Sequence, residues 1–206
     1  MKLEPTIEKF SFAQVELSLL VPDLIKVQQS FQQAPEQPVP FWAKLWPASI
    51  ALCDYLSRHQ SLLLHSTVLE LGAGLGLPSL YAAHFAKEVL CTDLDQQAME
   101  LAAASARLNN LNNIECKMLD WADAAETTAQ LVLLSDVNYD PSSFAKLRFV
   151  VENLLERGTG IVISTPQRLM AKPFIAQLSD ACVDRTTIPV NFNAVSKEIF
   201  IMHLQR

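Results

Sequence analysis

Short apolar runs and longer amphipathic segments alternate along most of the chain. Runs of this length are typical of buried strands, and they occupy residues 68–71, 89–92, 114–117, 131–134, 161–164, 183–188 and 198–204. Segments with apolar residues at helical spacing lie before or between these runs, at residues 48–57, 78–86, 96–109, 141–156 and 170–179. Strand and helix in succession predict a parallel sheet with helices on both faces.

The last two predicted strands are joined by a short segment around residues 189–193. This segment is too short for a crossover helix, so the two strands should pair antiparallel. The predicted fold class is therefore α/β, a Rossmann-like, seven-stranded and mostly parallel sheet with an antiparallel last strand. That last strand distinguishes it from an ordinary dinucleotide-binding sheet.

The first 41 residues have a different pattern. Residues 10–21 alternate as a strand or hairpin does, and residues 24–33 have the composition of a short helix. Pro35, Pro38 and Pro40 then form a stiff connector. We expect residues 1–41 to be an appendage packed on a single domain of residues 42–206.

Composition limits the function classes. The 206 residues are half apolar, enough for one core, and the net charge of −6 argues against a nucleic-acid partner. The four cysteines are widely spaced without a Cys-x-x-Cys pair, which argues against a bound metal and against disulfides. No basic and apolar leader and no apolar run of about 20 residues occur, so we expect a soluble, cytoplasmic protein with no membrane partner.

A glycine-rich turn connects the first strand of the sheet to the helix predicted from Pro78. It contains Gly72, Ala73, Gly74 and a third glycine, Gly76. Glycines permit positive φ angles and let a ligand approach the backbone, while the following helix contributes free N–H groups and a partial positive charge. Such a turn can receive the methionine carboxylate of S-adenosylmethionine.

The competing ligand for this turn is a dinucleotide, whose fingerprint is G-x-G-x-x-G. In this chain Gly76 comes one residue too early and Leu77 follows it. Glu70, two residues before the first glycine, favours a ligand with an amine and a sulfonium, because an acidic group can accept hydrogen bonds and favours positive charge nearby.

Two acids follow the second strand. Asp93, about twenty residues after the first glycine, is suited to bind both ribose hydroxyls. Asp95 is the alternative, but its position before Gln96 favours a helix cap.

Polar and aromatic residues also follow the third and fourth strands. Asp120 could accept from the adenine amine and Trp121 could stack on the ring, although an ordinary half-buried tryptophan is the alternative. Asp136 and Tyr139 follow the fourth strand, where catalytic groups of open parallel sheets gather, whereas Asp140 before a proline is typical of a helix cap.

These residues together resemble the seven-β-strand protein-lysine methyltransferases that carry an Asp/Glu-x-x-Tyr motif. The resemblance rests on Trp46, the run Glu70–Gly76, Asp93, Asp120, Trp121 and the run Asp136–Tyr139. It implies that Trp46, Gly72 to Gly74, Asp93, Trp121 and Ser135 line the cofactor and that Asp136 and Tyr139 face the acceptor nitrogen. Trp46 is followed here by proline, where many relatives have an acid, and the acceptor groove has no recognisable motif.

The predicted activity is transfer of a methyl group from S-adenosylmethionine to an amine, most simply a lysine side chain of a protein, leaving S-adenosylhomocysteine. A small amine or a pyridine is an alternative acceptor. An inactive cofactor-binding module that works through protein contacts is a second alternative. Nucleic-acid methylation ranks last, because the fourth-strand segment lacks the Asn/Asp-Pro-Pro-Tyr/Phe sequence that holds a flipped base.

Overall fold

The computed structural model describes residues 4–33 and 40–206. Its strands are β1 (Thr6–Phe12), β2 (Val15–Val21), β3 (Thr67–Leu71), β4 (Glu88–Asp93), β5 (Ile114–Met118), β6 (Leu131–Ser135), β7 (Gly160–Pro166), β8 (Cys182–Phe192) and β9 (Val195–Leu204). Its α-helices are α1 (Leu24–Gln33), α2 (Pro47–Arg58), α3 (Leu77–Ala82), α4 (Gln96–Leu108), α5 (Phe144–Glu156) and α6 (Lys172–Gln177). Two of the three connector prolines, Pro35 and Pro38, lie outside the described residues.

The main sheet has the strand order β5-β4-β3-β6-β7-β9-β8. Strands β3 to β7 are parallel, and β9 pairs antiparallel with β7 on one side and with β8 on the other. The predicted fold class is confirmed. Because β9 inserts between β7 and β8, the antiparallel strand lies inside the sheet and β8 forms its edge.

Several element boundaries differ from the sequence-based prediction. The last hairpin is tighter than predicted, because its strands continue to Phe192 and from Val195 and leave only Asn193 and Ala194 in the turn, both at positive φ. Pro189 lies within β8, which an edge strand permits because one of its sides needs no N–H donor. Helix α3 ends at Ala82, four residues before the predicted end.

Apolar side chains cover both faces of the main sheet. One core cluster contains residues of α2, α3 and α4, such as Leu52, Tyr81 and Met99. The other contains residues of α5 and α6, such as Leu154 and Phe174. Helices therefore pack on both faces, and the carboxyl ends of the parallel strands remain accessible between them.

The N-terminal hairpin of β1 and β2 packs against α4. Leu17 and Leu19 of β2 are fully buried in the same cluster as that helix. The backbone N–H of Ser18 donates to Asn109 Oδ1 at 2.9 Å, and the N–H of Leu20 donates to Ser105 Oγ at 3.0 Å. Helix side chains thus satisfy donors on the outer edge of β2. The domain boundary at residue 41 stays a prediction.

Within the described ranges, no helix is both long enough and apolar enough to cross a membrane.

Candidate active site

A cavity of about 800 Å³ opens at the carboxyl ends of β3, β4 and β6. Nine of the eleven residues predicted for the site line it: Trp46, Gly72, Ala73, Gly74, Asp93, Trp121, Ser135, Asp136 and Tyr139. Parallel strands place their carboxyl ends at one edge of a sheet, which is why residues as far apart in sequence as Gly72 and Tyr139 meet here. Glu70 and Asp120 are the two that the structure does not bring into the lining.

The glycine-rich turn forms one wall of the cavity and is fastened to β4. The N–H of Ala73 donates to the Thr92 carbonyl at 2.9 Å, and the N–H of Gly74 donates to Asp93 Oδ2 at 2.8 Å. Gly74 has φ +54°, and a Cβ at this position would lie 3.3 Å from the Trp42 carbonyl oxygen. A side chain at this position would therefore crowd the backbone of the 41–43 turn and adopt a left-handed conformation that favours glycine.

Asp93 connects the glycine-rich turn to the start of α4. Its Oδ1 accepts from the N–H of Asp95 at 3.1 Å, while Oδ2 accepts from Gly74. Burial raises the pKa of Asp93, and these backbone hydrogen bonds oppose the rise. Asp95 Oδ1 accepts from the N–H of Gln97 at 2.8 Å, which confirms Asp95 as the cap of α4.

Trp121 lies against the glycine-rich turn. Its indole ring comes within 3.8 Å of the point where a Cβ of Gly72 would stand, and the side chain is half-buried. Asp120, beside it in sequence, points away: it forms an ion pair with Lys146 and accepts from the N–H of Ala122 at 2.8 Å. The proposed contact between Asp120 and adenine has no support in this geometry and stays a prediction.

Glu70 lies beneath the turn, fully buried. Its Oε2 accepts from the Ser79 N–H at 2.8 Å and from the Ser79 hydroxyl at 2.5 Å. Burial raises the pKa of Glu70 to about 8, so the carboxyl is mostly protonated at neutral pH. The sequence pattern predicted a direct hydrogen bond to the ligand, whereas the structure uses Glu70 to hold α3 against the turn.

Asp136 and Tyr139 line the end of the cavity that follows β6. Asp136 adopts φ +56°, and its N–H donates to the Ser164 carbonyl at 2.8 Å. Its side chain is 5% exposed. Burial raises the pKa of Asp136, while the positive charges of Arg168 and Lys197 lower it. The Tyr139 ring packs on Phe41 with 5.2 Å between centroids.

Arg168 is a site residue that the sequence analysis missed. It follows β7 by two residues, lines the cavity and forms an ion pair with both carboxylate oxygens of Asp136. No local motif marks an arginine 32 residues from its partner. The available signal was its position just after a strand of the parallel sheet, at the same edge as Asp136.

The segment before α2 closes the other side of the cavity. Trp46 precedes Pro47, the first residue of α2, and its indole N–H donates to the Phe41 carbonyl at 3.0 Å. The Lys44 ammonium lies 4.8 Å from the centre of the Trp46 ring, within the range of a cation–π interaction. A compact aromatic wall results.

These features fit S-adenosylmethionine. The cavity volume lies within the range of small-molecule sites. The glycine-rich turn lets a carboxylate approach the backbone, Asp93 offers a carboxylate for ribose hydroxyls, and Trp121 offers a ring face for adenine. Among the described residues, no group of three or more His, Cys, Asp or Glu side chains could hold a metal ion.

Comparisons with known proteins show similarity to methyltransferases. A family model described as lysine methyltransferase matches residues 30–181. Histone-arginine methyltransferase METTL23 of Xenopus laevis is 32% identical over 120 residues, which cover 55% of this chain and 51% of that protein. Protein N-lysine methyltransferase METTL21A of Xenopus tropicalis is 32% identical over 132 residues, covering 61% of each.

Solved structures share the fold at low identity. The Pyrococcus abyssi tRNA (uracil-54, C5)-methyltransferase in complex with S-adenosyl-L-homocysteine superposes with a TM-score of 0.60 and 13% identity, over 96% of this chain and 44% of that one. The matched region spans about half the length of several of the curated relatives.

Proposed function

The chain belongs to the lysine methyltransferase family, and on that premise we propose that it methylates a lysine side chain of another protein. The observation that carries the proposal is that Asp136 and Tyr139 lie in the same cavity as the glycine-rich turn and Asp93. The residues proposed to bind the cofactor and the pair proposed to orient an amine thus line one cavity.

The family implies S-adenosylmethionine as the cofactor. Gly72 to Gly74 would hold its carboxylate, Asp93 its ribose, and Trp121 its adenine. When bound, it supplies an electrophilic methyl group on a sulfonium: the amine lone pair forms the new N–C bond while the C–S bond breaks and its electrons stay on sulfur. Holding the reacting groups close and aligned accounts for most of such a rate enhancement.

The acceptor amine must first lose a proton. A lysine with pKa ~10.4 pays about 4–5 kcal/mol for this at pH 7, and the proton leaves to water. Asp136 is too weak a base to keep that proton, so its role is to orient the amine together with the Tyr139 hydroxyl. The Asp136 side chain is buried, which strengthens its electrostatic effect on the amine, whereas Tyr139 is 46% exposed.

The test is incubation of the protein and labelled S-adenosylmethionine with fractionated cell proteins. Mass spectrometry of the labelled bands should identify methyl-lysine. Asp136→Ala serves as the matched control, because bands that persist with it do not depend on the site. Labelled products only in the small-molecule fraction would support the small-amine alternative, and cofactor binding without any product would support the inactive module.

Arginine is a second candidate acceptor. Relatives named as histone-arginine methyltransferases match the chain, and Asp136 already binds one guanidinium through both oxygens, that of Arg168. The same mass spectra separate the two acceptors by the modified residue. The cytoplasmic location expected from the sequence stays a prediction.

A further inference from the structure

Arg168 occupies both oxygens of Asp136. Nη1 donates to Oδ1, and Nη2 donates to Oδ2 at 3.0 Å. The Asp136 side chain is 5% exposed and that of Arg168 is 26% exposed. A bidentate ion pair between a guanidinium and a largely buried carboxylate is among the stronger charge-assisted contacts in proteins. Asp136 is therefore not an unpaired negative charge in the cavity.

Backbone hydrogen bonds position both residues of this ion pair. The N–H of Asp136 donates to the Ser164 carbonyl on β7, which fixes the residue at the end of β6. Aspartate tolerates its left-handed φ of +56° better than most residues. The N–H of Arg168 donates to the Pro166 carbonyl at 2.7 Å, which closes a tight turn just after β7. Both partners therefore depend on the same strand pair.

The pair changes the charge that an acceptor amine would meet. An unpaired carboxylate beside the amine favours the ammonium form, which has no lone pair and cannot attack a methyl group. A guanidinium on that carboxylate cancels the effect, because like charge disfavours the ammonium, as a neighbouring cation does at other activated lysines.

Charges near Asp136 and Tyr139 act in both directions: Asp93 and Asp140 add negative charge at Tyr139, whereas two lysines add positive charge. Lys197 of β9 adds positive charge, and Lys44 lies on the cavity wall. The Tyr139 hydroxyl, whose pKa is raised chiefly by burial, stays neutral. Asp93 lies on the cofactor side, bound to backbone N–H groups.

We propose that Arg168 is a positioning residue that cancels the charge of Asp136, so that the site binds the acceptor amine in its uncharged, nucleophilic form. The inference rests on the proposed transfer to an amine and extends it to the protonation state in which that amine is bound.

The first test counts protons and needs no turnover. Calorimetric titration of n-butylamine into the protein with S-adenosylhomocysteine, at pH 8 in phosphate and in Tris, gives the number of protons released on binding. The wild type should release about one proton per amine bound, because the free amine is an ammonium and the bound one is neutral. Arg168→Gln should release close to none, while Arg168→Lys, which keeps the charge, should release nearly as many as the wild type.

The matched control is Arg148→Gln. Arg148 pairs with Glu152 on the surface of α5 and should not change the proton count. Wild-type protein that binds n-butylamine without releasing protons, or that does not bind it, would overturn the inference whatever the variants do. Unchanged S-adenosylhomocysteine affinity of Arg168→Gln establishes that the variant is folded.

The second test uses the rate of methyl transfer. Retention of the proton at pH 8 requires the pKa of the bound amine to rise by about two units in Arg168→Gln. This variant should therefore lower kcat at pH 7.5 by more than about tenfold, recover toward the wild-type rate at pH 9.5 and leave KM no higher. A loss of kcat that is the same at all pH values would show a merely structural role. Absence of methyl transfer by the wild type would refute the proposed function. The number of protons released on n-butylamine binding would still test the role of Arg168.

Discussion

Glu70 binds Ser79 through one carboxylate oxygen that accepts both the backbone N–H and the hydroxyl of that serine, at 2.8 and 2.5 Å. The contact joins the end of β3 to the first turns of α3, directly under the glycine-rich turn. A fully buried acid thus supports the wall of the cavity. Its other oxygen, Oε1, is buried without a hydrogen-bond partner among the described residues, which adds to the cost of ionising the group.

The first prediction concerns the pH dependence of stability. Glu70 has a folded-state pKa of about 8 against an ordinary value of 4.5. The folded protein therefore holds a proton that the unfolded chain loses between these values, and Glu70 makes unfolding easier by about 1.4 kcal/mol for each pH unit as pH rises through this window. Above pH 8 the effect is constant.

Glu70→Gln tests this, because the amide keeps an acceptor for Ser79 and cannot ionise. Its free energy of unfolding in urea, relative to that of the wild type, should rise steadily from pH 5 to pH 8. Glu88→Gln, which changes an exposed glutamate at the start of β4, should give no such trend. A constant difference between Glu70→Gln and the wild type would mean that the buried acid is ionised throughout.

The second prediction separates packing from backbone strain. Gly76 and Gly158 both have positive φ, +76° and +79°. A Cβ at Gly76 would lie 3.1 Å from Cys91 Sγ, whereas a Cβ at Gly158 would meet nothing within 4 Å. Gly158→Ala should cost about 1–2 kcal/mol of stability for the left-handed backbone, and Gly76→Ala about 1–3 kcal/mol more for overpacking. Equal losses in urea unfolding would show that the glycine-rich turn relaxes freely.

The third prediction concerns the proposed adenine contact. Trp121→Ala should weaken binding of S-adenosylhomocysteine by roughly 5- to 150-fold, the equivalent of ~1–3 kcal/mol of stacking. Trp121→Phe should retain much of the affinity because it keeps a ring face. Calorimetry gives both dissociation constants, and an unchanged value for Trp121→Ala would place the adenine elsewhere in the cavity.

The fourth prediction separates chemistry from cofactor binding. Asp136→Ala should reduce methyl transfer by about 100-fold or more, since it removes the group that orients the amine. Affinity for S-adenosylhomocysteine should stay within a few-fold, because the proposed cofactor contacts are those of the glycine-rich turn, Asp93 and Trp121, which line the cavity. Undiminished turnover of the variant would refute the role of Asp136.

Patterns within short stretches predicted most of the fold. The alternation of apolar runs and amphipathic segments predicted each strand of the main sheet, because burial on both faces requires continuous apolar strands. The short link before β9 predicted antiparallel pairing. Helix α3 ends four residues and α6 two residues before the predicted end, because packing on the sheet rather than periodicity decides where these short helices stop.

The structure brings most of the predicted site residues into one cavity, and their roles stay predictions. Nine predicted residues line one cavity, since a strand's carboxyl end fixes where the next residue lies. For Asp120 and Glu70 the partner decides the role, and each partner comes from another element: Lys146 of α5 binds the first and Ser79 of α3 the second. The predicted site residues otherwise stay to be tested by the variants above.

The sequence by itself determined which functional group follows each strand: a glycine-rich turn after β3, an acid after β4, an aromatic residue after β5 and Asp136 after β6. These depend on local spacing and on the rule that parallel strands end at one edge. Only the tertiary structure decided that Glu70 is buried and that Arg168 forms an ion pair with Asp136. Burial and charge pairing depend on which distant segments pack together, and no local sequence pattern encodes that packing.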